Sequence, residues 1–376
     1  MAQKLLSIVV PTKNRYYYLK YLIQLINDLH SEEIEMVIQD NSDDNTEFLA
    51  FLQEKKYGFI RYDYIKGQIP MSVNSDKAVL NSTGEYICFV GDDDGLTRFI
   101  IDGVHWMKAN GIEAVKSAPV NYCWPDAPQG RSADVVYLPF TGKVKFLKPL
   151  DELIKVLRNG IQDRGNMPLA YHSVVSRAAM DRVYAKCGTF FPGNSPDISN
   201  AVALSLVVEK FATVDVPWAY SGNSAYKGGG VFARGNSAPK ITEIPWFRPN
   251  PEERWDKQIP RVAAGTLIWA DSALESLHNM GRDDLRKHFN LYKCYSKFLV
   301  SNPQFEKQVN DVCENVIKLK AYKLVSIIDK MSSALCRRVG WALHLKRRNK
   351  KATSIQNILE ATKILEKLSD GKMIIK

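Results

Sequence analysis

The segment Glu85-Tyr86-Ile87-Cys88-Phe89-Val90-Gly91-Asp92-Asp93-Asp94-Gly95 joins an apolar run of strand length to a glycine and three consecutive carboxylates. Three adjacent anions repel one another by about 1 kcal/mol or more per pair near a surface, so they call for a counter-charge. A hard divalent cation, Mg2+ or Mn2+, meets that call and then bridges to substrate phosphates. The carboxyl end of a buried parallel strand is also where open α/β sheets place their ligands. Taken alone, three Asp can equally be an acidic turn that closes a strand.

Three further polar clusters each lie near an element end. Ser7-Ile8-Val9-Val10 runs into Pro11-Thr12-Lys13-Asn14-Arg15, where backbone and hydroxyl groups can face a flat nucleobase. Val37-Ile38-Gln39 ends in Asp40-Asn41-Ser42-Asp43-Asp44-Asn45-Thr46. A carboxylate such as Asp40 accepts the imide proton of a pyrimidine, but an Asp-Asn-Ser run also makes N-caps and Asx-turns. Asn74-Ser75-Asp76-Lys77 supplies a cation that serves a phosphate or only solvent, and Arg15 at a helix start has the same two readings.

The elements around these clusters alternate. Strand patterns at 5–10, 34–38, 60–65 and 86–90 are interleaved with helical spacing through Leu19, Leu22, Ile23, Ile26 and Leu29, through 47–56 and through 73–80. This order predicts a mostly parallel sheet with helices on both faces. Further on, 99–110 reads as a helix and 114–120 as a strand, with 122–133 a Pro-, Gly- and Asp-rich loop. Residues 151–157, 177–185 and 197–209 read as helices and 212–218 as a last strand. The segment 222–239, with Gly228-Gly229-Gly230, Lys227 and Arg234, reads as a loop that can close over a ligand or simply connect. From about 251 the pattern is helical: 255–280, 283–300, 305–331 and 355–368.

At 376 residues the chain accommodates one large domain and a smaller one. Its 45% hydrophobic and 24% charged content is that of a globular protein, and no apolar stretch is long enough to cross a bilayer. Leu5–Val10 ends at Pro11 without a small-residue cleavage site and reads as a first strand, not an export signal. Six scattered cysteines without a Cys-x-x-Cys pair suit reduced thiols in a cytoplasmic setting.

The order of Val10-Pro11-Thr12-Lys13-Asn14-Arg15, Gln39-Asp40-Asn41-Ser42, Asn74-Ser75-Asp76-Lys77, Thr83-Gly84-Glu85 and Gly91-Asp92-Asp93-Asp94 resembles a family 2 inverting glycosyltransferase of the GT-A fold, of bacterial surface-polysaccharide type. The likeness covers residues 1 to about 225. It implies a Rossmann-like α/β domain, followed by a mainly helical C-terminal region. It implies a UDP-sugar donor held by Pro11, Thr12, Asn14, Arg15, Asp40 (at uracil N3), Lys77, Asp92 and Asp93. It further implies Mn2+ or Mg2+ on Asp92 and Asp94, with Asp94 the principal ligand. Lys77 stands where the family has arginine, so the bidentate fork on the diphosphate is lost.

An inverting transfer needs a general base for the acceptor hydroxyl. The family position falls on Ser195-Pro196-Asp197, which makes Asp197 the candidate, although Pro-Asp is also an ordinary helix start. Asp181 and Asp215 are its rivals. His172 reads as a strand residue near the phosphates or as a satisfied core histidine. The acceptor implied is a glycan hydroxyl, lipid-linked. A sugar nucleotidyltransferase would have a glycine-rich loop after the first strand, and Pro11–Arg15 has no glycine. A non-catalytic, membrane-associated glycan-binding scaffold would not need the intact acids.

Between residues 318 and 351 there are eleven Lys/Arg and one acid, Asp329, so this segment carries the whole +10 and the rest of the chain sums to zero. Its apolar residues Leu324, Val325, Ile327, Ile328, Met331, Leu335, Val339, Leu343 and Leu345 recur at near-helical spacing, with Arg337, Arg338, Lys346, Arg347, Arg348, Lys350 and Lys351 beside or after them. That predicts a basic amphipathic helix that lies on an anionic membrane surface through 324–351 or packs on the catalytic domain. No repeated basic–aromatic pattern accompanies it, which excludes a nucleic-acid partner. The organisation expected is 1–225 catalytic, 226–316 glycine-rich loop and helical extension, and 317–376 basic helical region, with the protein cytoplasmic or peripheral on the inner face of the plasma membrane.

Overall fold

The computed structural model describes residues 3–127, 134–137, 140–225, 240–342, 350–368 and 375. Thirteen strands are described: β1 (Leu6–Thr12), β2 (Ile34–Asp40), β3 (Ile60–Tyr64), β4 (Tyr86–Phe89), β5 (Gly95–Leu96), β6 (Ala114–Ser117), β7 (Val120–Cys123), β8 (Asp134–Tyr137), β9 (Val144–Leu147), β10 (Val174–Ser176), β11 (Phe211–Val214), β12 (Ala219–Asn223) and β13 (Lys350–Ala352). The first four run parallel in the order β3-β2-β1-β4, joined by helices Tyr16–Asn27, Thr46–Lys55 and Met71–Leu80. The main sheet continues β10-β6-β11-β9, with β10 antiparallel between β4 and β6. This is the α/β arrangement expected from the sequence, a mostly parallel first half of the sheet flanked by helices.

Both faces of the central strands are covered, which is why they read as unbroken apolar runs. Ile8, Ile38 and Cys88 point to one core, Val9, Ile87 and Phe89 to the other, and all are buried. Each such aliphatic side chain contributes about 1.5–3 kcal/mol on burial. Entry to β4 depends on close approach: Ser7 Oγ donates to Glu35 Oε1 (2.6 Å) and accepts from Gly84 N (2.7 Å). A Cβ on Gly84 would stand 2.5 Å from that hydroxyl, so the Thr83-Gly84 landmark is a packing requirement.

Two expected strands are each split by a proline that cannot donate to a ladder. The 114–120 pattern becomes β6 and β7 around Pro119, and the 212–218 pattern becomes β11, with β12 beginning beyond Pro217. The later halves move into a second sheet, β13-β8-β7-β12-β5. The expected 255–280 helix begins only at Gly265, past Pro260, as Gly265–Asn279, and a separate short helix Pro251–Arg254 precedes it. Asp94 thus sits where the chain leaves one sheet for the other.

The helical part forms its own core, in which Gly265–Asn279 packs on Pro196–Ser205. Helix Val316–Ala342 lays Leu319 and Ser326 against Leu291–Ser301, with Ser326 and Ser296 hydroxyls 2.9 Å apart. Its opposite face carries exposed Ile317, Leu324, Val325, Ile328 and Met331. The chain then returns: β13 pairs with β8, and Ile358, Ala361 and Leu365 of helix Ile358–Leu368 are buried in the core beside Leu25. Lys227, Arg234, Leu343, Leu345, Lys346, Arg347 and Arg348 lie outside the described residues. Among the described residues no helix is long and apolar enough to cross a membrane.

Candidate active site

The three aspartates do not face solvent. Asp92, Asp93 and Asp94 retain 2%, 3% and 1% of their accessible surface. Arg15, at the start of the first helix, holds two of them: Nη1 lies 2.9 Å from Asp92 Oδ1 and Nη2 2.8 Å from Asp93 Oδ2. Thr12 Oγ1 donates to Asp92 Oδ2 (2.7 Å), so its hydroxyl faces the aspartate turn. Ser224 Oγ accepts from Arg15 Nη2 and donates to Asp93 Oδ2, both at 2.7 Å. Trp124 Nε1 donates to the Asp93 carbonyl at 2.8 Å.

Burial pushes Asp92 up to about 7, with Arg15 opposing the rise and Asp93 adding to it. For Arg15 burial acts downward, but the charges of Asp92 and Asp93 prevail and raise it above the ordinary guanidinium range. A buried pair of this kind survives only because every partner is present.

Asp94 has different company. Its Oδ2 accepts from Gly91 N and lies 2.6 Å from His172 Nε2, while Oδ1 accepts from Gly222 N at 2.8 Å. His172 is not in a strand: it precedes β10 with φ +58°, a left-handed conformation unusual for a non-glycine residue. Hydrogen bonds from His172 N to Phe89 O (2.9 Å) and from Ser117 Oγ to His172 O (3.0 Å) hold it there. Backbone strain kept by such fixed partners marks functional sites.

Asp40, the last residue of β2, is fully buried. Tyr16 and Tyr62 hydroxyls donate to its Oδ2 at 2.6 and 2.7 Å, and Ser42 N donates to Oδ1 at 2.8 Å, so the Asx-turn reading and the acceptor reading coexist. Asn14, with φ +57°, binds through its side chain to Asp43 and so zips the loops after β1 and β2 together. Pro11 is half-buried above them. Lys77 is half-buried on Met71–Leu80 and, among the described residues, makes no ion pair or hydrogen bond through its ammonium group.

Asp197 lies in the first turn of Pro196–Ser205, after the N-cap Ser195. Its Oδ1 accepts from Ser195 Oγ (2.6 Å) and Ile198 N (2.9 Å), and Oδ2 lies 3.5 Å from Arg164 Nη1. The segment before it is braced: Ser195 N donates to Ser272 Oγ, Arg248 donates to Ser72 Oγ and the Phe191 carbonyl, and Asp76 accepts from Thr189 and Phe190. Asp215 lies just past β11, where its carboxylate accepts from Thr141 N and Oγ1, a turn-forming role. Asp181 sits on the helix Arg177–Cys187, away from this constellation.

A continuous chain of contacts joins Asp94 to Asp197. The His172 and Tyr171 rings touch with centroids 3.8 Å apart and planes tilted by 32°. The guanidinium of Arg164 lies over the Tyr171 ring (5.6 Å) and the Trp269 ring (5.9 Å), and its tip reaches Asp197. Arg164 stands on a turn with left-handed residues at Ile161 and Gly165, and Lys116 donates to the Gly165 carbonyl. Burial, then repulsion by Arg164, brings Lys116 down to about 8.

Sequence reasoning missed Arg164, Tyr171, Trp124, Ser224, Tyr16 and Tyr62. The phenols of Tyr16 and Tyr62 precede or face a recognised cluster, but nothing in the residues around Arg164 marks it.

Residues 7–162 match the model of glycosyl transferase family 2. A comparison with curated proteins gave no match. Among solved structures, the chain is similar to residues 1–349 of S. aureus TarS in complex with UDP-GlcNAc, at 12% identity over 89% of this chain and 92% of that one, TM-score 0.47. It is also similar to the mannosyltransferase PcManGT from Pyrobaculum calidifontis in complex with GDP-Man and Mn2+, at 12% identity over 88% of each chain, TM-score 0.38.

Proposed function

We propose, from the match of residues 7–162 to the glycosyl transferase family 2 model, that the protein moves a hexosyl unit from a UDP-sugar to a hydroxyl of a glycan acceptor, with inversion and with a divalent cation. One observation carries this reading: the contacts that run from the buried aspartate turn through His172, Tyr171 and Arg164 to Asp197. They join an anion-rich end to a carboxylate whose Oδ2 lies 3.5 Å from Arg164 Nη1.

The donor set fits a cation that is completed by substrate. Asp94 and His172 offer one oxygen and one nitrogen side by side. Among the described residues no group of three or more His, Cys, Asp or Glu converges on one point, so phosphate oxygens and water would fill the remaining positions. A carboxylate–imidazole pair favours Mn2+ over Mg2+. When bound, the cation would act as a Lewis acid toward the leaving diphosphate.

The chain's own groups do the rest. Asp40, fixed by two phenols, would orient the uracil edge, and Pro11, Thr12 and Asn14 would frame it. Arg15, Lys77, Asp92 and Asp93 would line the path from ribose to diphosphate. Asp197 Oδ2 would take the proton of the acceptor hydroxyl as it attacks the anomeric carbon from the face opposite UDP, which inverts the configuration.

A lipid-linked acceptor in surface-polysaccharide synthesis, such as O-antigen or capsule, agrees with the outer face of Val316–Ala342. Apolar Ile317, Leu324, Val325, Ile328 and Met331 are exposed there with lysines in the same helix, the make-up of a peripheral helix on an anionic inner membrane face. The test is an assay of Asp197→Asn with UDP-sugar and acceptor: UDP binding is preserved and transfer is lost. Transfer at the wild-type rate would remove Asp197 as the base.

A further inference from the structure

Asp94 is followed at once by Gly95, and the backbone there is wedged between two helices. A Cβ on Gly95 would stand 2.5 Å from Ile358 Cδ1, 3.1 Å from Ile358 Cγ1 and 3.0 Å from Leu25 Cδ1. Leu25 belongs to the helix that Arg15 precedes, and Ile358 opens the helix Ile358–Leu368. The second helix buries Ile358, Ala361 and Leu365, a stripe at helical spacing. The segment 7–162 that matches the family model stops long before it.

Two phenols fasten this helix and its approach to the strands that hold the aspartates. Tyr220, paired with Gly95 across β12 and β5, donates its hydroxyl to the Ala361 carbonyl at 3.4 Å. Tyr122, paired with Gly222 across β7 and β12, donates to the Ile355 carbonyl at 3.3 Å. Both tyrosines are fully buried. Gly222 N is in turn the donor to Asp94 Oδ1, and Trp124, one residue past β7, donates to the Asp93 carbonyl. β13 adds a third attachment by pairing with β8 in the same sheet.

We infer that Ile358 is a positioning residue of the donor site: its side chain sets the Gly95 backbone, and through it the aspartate turn on which the sugar nucleotide is held. The inference rests on the UDP-sugar donor proposed above and names the element that keeps its turn in place. A β-branched residue suits the task because its χ1 is stiff in a helix, so the two carbons that meet Gly95 are held in one position. Removing them leaves a cavity beside the backbone that follows Asp94. Glycine is the residue with the widest conformational freedom, so Gly95 is free to shift into that space and to draw Asp94 away from its partners. Leu365 lies about 10 Å further along the same helix, buried in the same core, and serves as the comparison.

The experiment is calorimetric titration of the full chain with UDP in the presence of Mn2+, with melting midpoints read in parallel. Ile358→Ala and Leu365→Ala both remove buried carbons, and each is expected to lower the midpoint by about 5–10 °C. Only Ile358→Ala is expected to weaken UDP binding, at least tenfold, and to raise the donor KM by the same factor with the acceptor KM unchanged. Ile358→Leu, which keeps the volume, is expected to bind UDP within threefold of wild type. If Ile358→Ala does not fold, Ile358→Val, which removes the Cδ1 methyl alone, decides: binding at least threefold weaker supports the inference, and wild-type binding overturns it. UDP affinity within twofold of wild type in Ile358→Ala, or an equal loss in Leu365→Ala, overturns the inference and leaves the proposed transferase intact. A wild-type protein that binds no UDP overturns both.

Discussion

Replacing Gly222 with alanine tests whether the two sheets clamp the aspartate turn. A Cβ at this position would stand 1.8 Å from the Asp93 carbonyl oxygen and 2.6 Å from its carbon, against the 3.4 Å at which ordinary contact begins. Both neighbours are backbone, so β12 must move away from the turn. That movement breaks the 2.8 Å bond from Gly222 N to Asp94 Oδ1 and slackens the Ser224 contacts to Asp93 and Arg15. Loss of a hydrogen bond to a buried carboxylate costs about 1.5–3 kcal/mol, and overpacking adds about 1–3 kcal/mol. At about 2–4 °C per kcal/mol, the melting midpoint falls by about 10 °C. Scanning fluorimetry, alone and with UDP plus Mn2+, reads both effects, and the variant is expected to lose the ligand-induced rise as well. A midpoint within about 1 °C of wild type, with the ligand response kept, would refute the clamp.

Asp197→Asn should bind UDP as wild type does while kcat falls by about 10²–10⁴, the usual contribution of a general base. Arg164→Ala should lower kcat by about fivefold or less with the UDP affinity unchanged, because its pair with Asp197 is partly solvated and worth about 1 kcal/mol or less. In the Asp197→Asn background the same change should have no further effect, and an additive loss would disconnect the two residues. Asp271→Asn should stabilise the protein at neutral pH. Burial raises the Asp271 carboxyl far above its ordinary 3.8, and its Oδ2 makes no hydrogen bond within range among the described residues. Its contribution to stability is therefore full below 3.8 and is lost as pH rises from there toward the folded value. Wild type should lose stability across that window, and the variant should not. Parallel melting curves against pH would contradict it.

The local signals that survive in the sequence are those in which one element suffices. β1, β2 and β4 read as strands because both faces are buried, and the helix expected over 99–110 is the helix Phe99–Asn110, closed by Gly111 in a left-handed conformation. The aspartate turn was legible because three like charges after an apolar run demand an explanation. What was not legible depends on pairing between distant segments. Pro119 and Pro217 redirect two strands into a second sheet, a consequence that a local strand pattern does not contain. The partner of Asp92 and Asp93 is a residue read as a ligand group, Arg15, since only the fold brings it onto them. Arg164 reaches Asp197 from a turn whose residues show no periodicity at all. The closing helix Ile358–Leu368 was visible as a helix, but its seat in the first core, where Ile358 stands against Gly95, was not.

The most direct measurement is release of UDP by the purified protein from a panel of UDP-sugars in the presence of Mn2+, with and without EDTA, alongside Asp94→Ala. Release from at least one sugar nucleotide that stops with EDTA and is absent in Asp94→Ala is the predicted result. Turnover that continues unchanged in EDTA, or that persists in Asp94→Ala, contradicts a donor diphosphate held at the tip of β4.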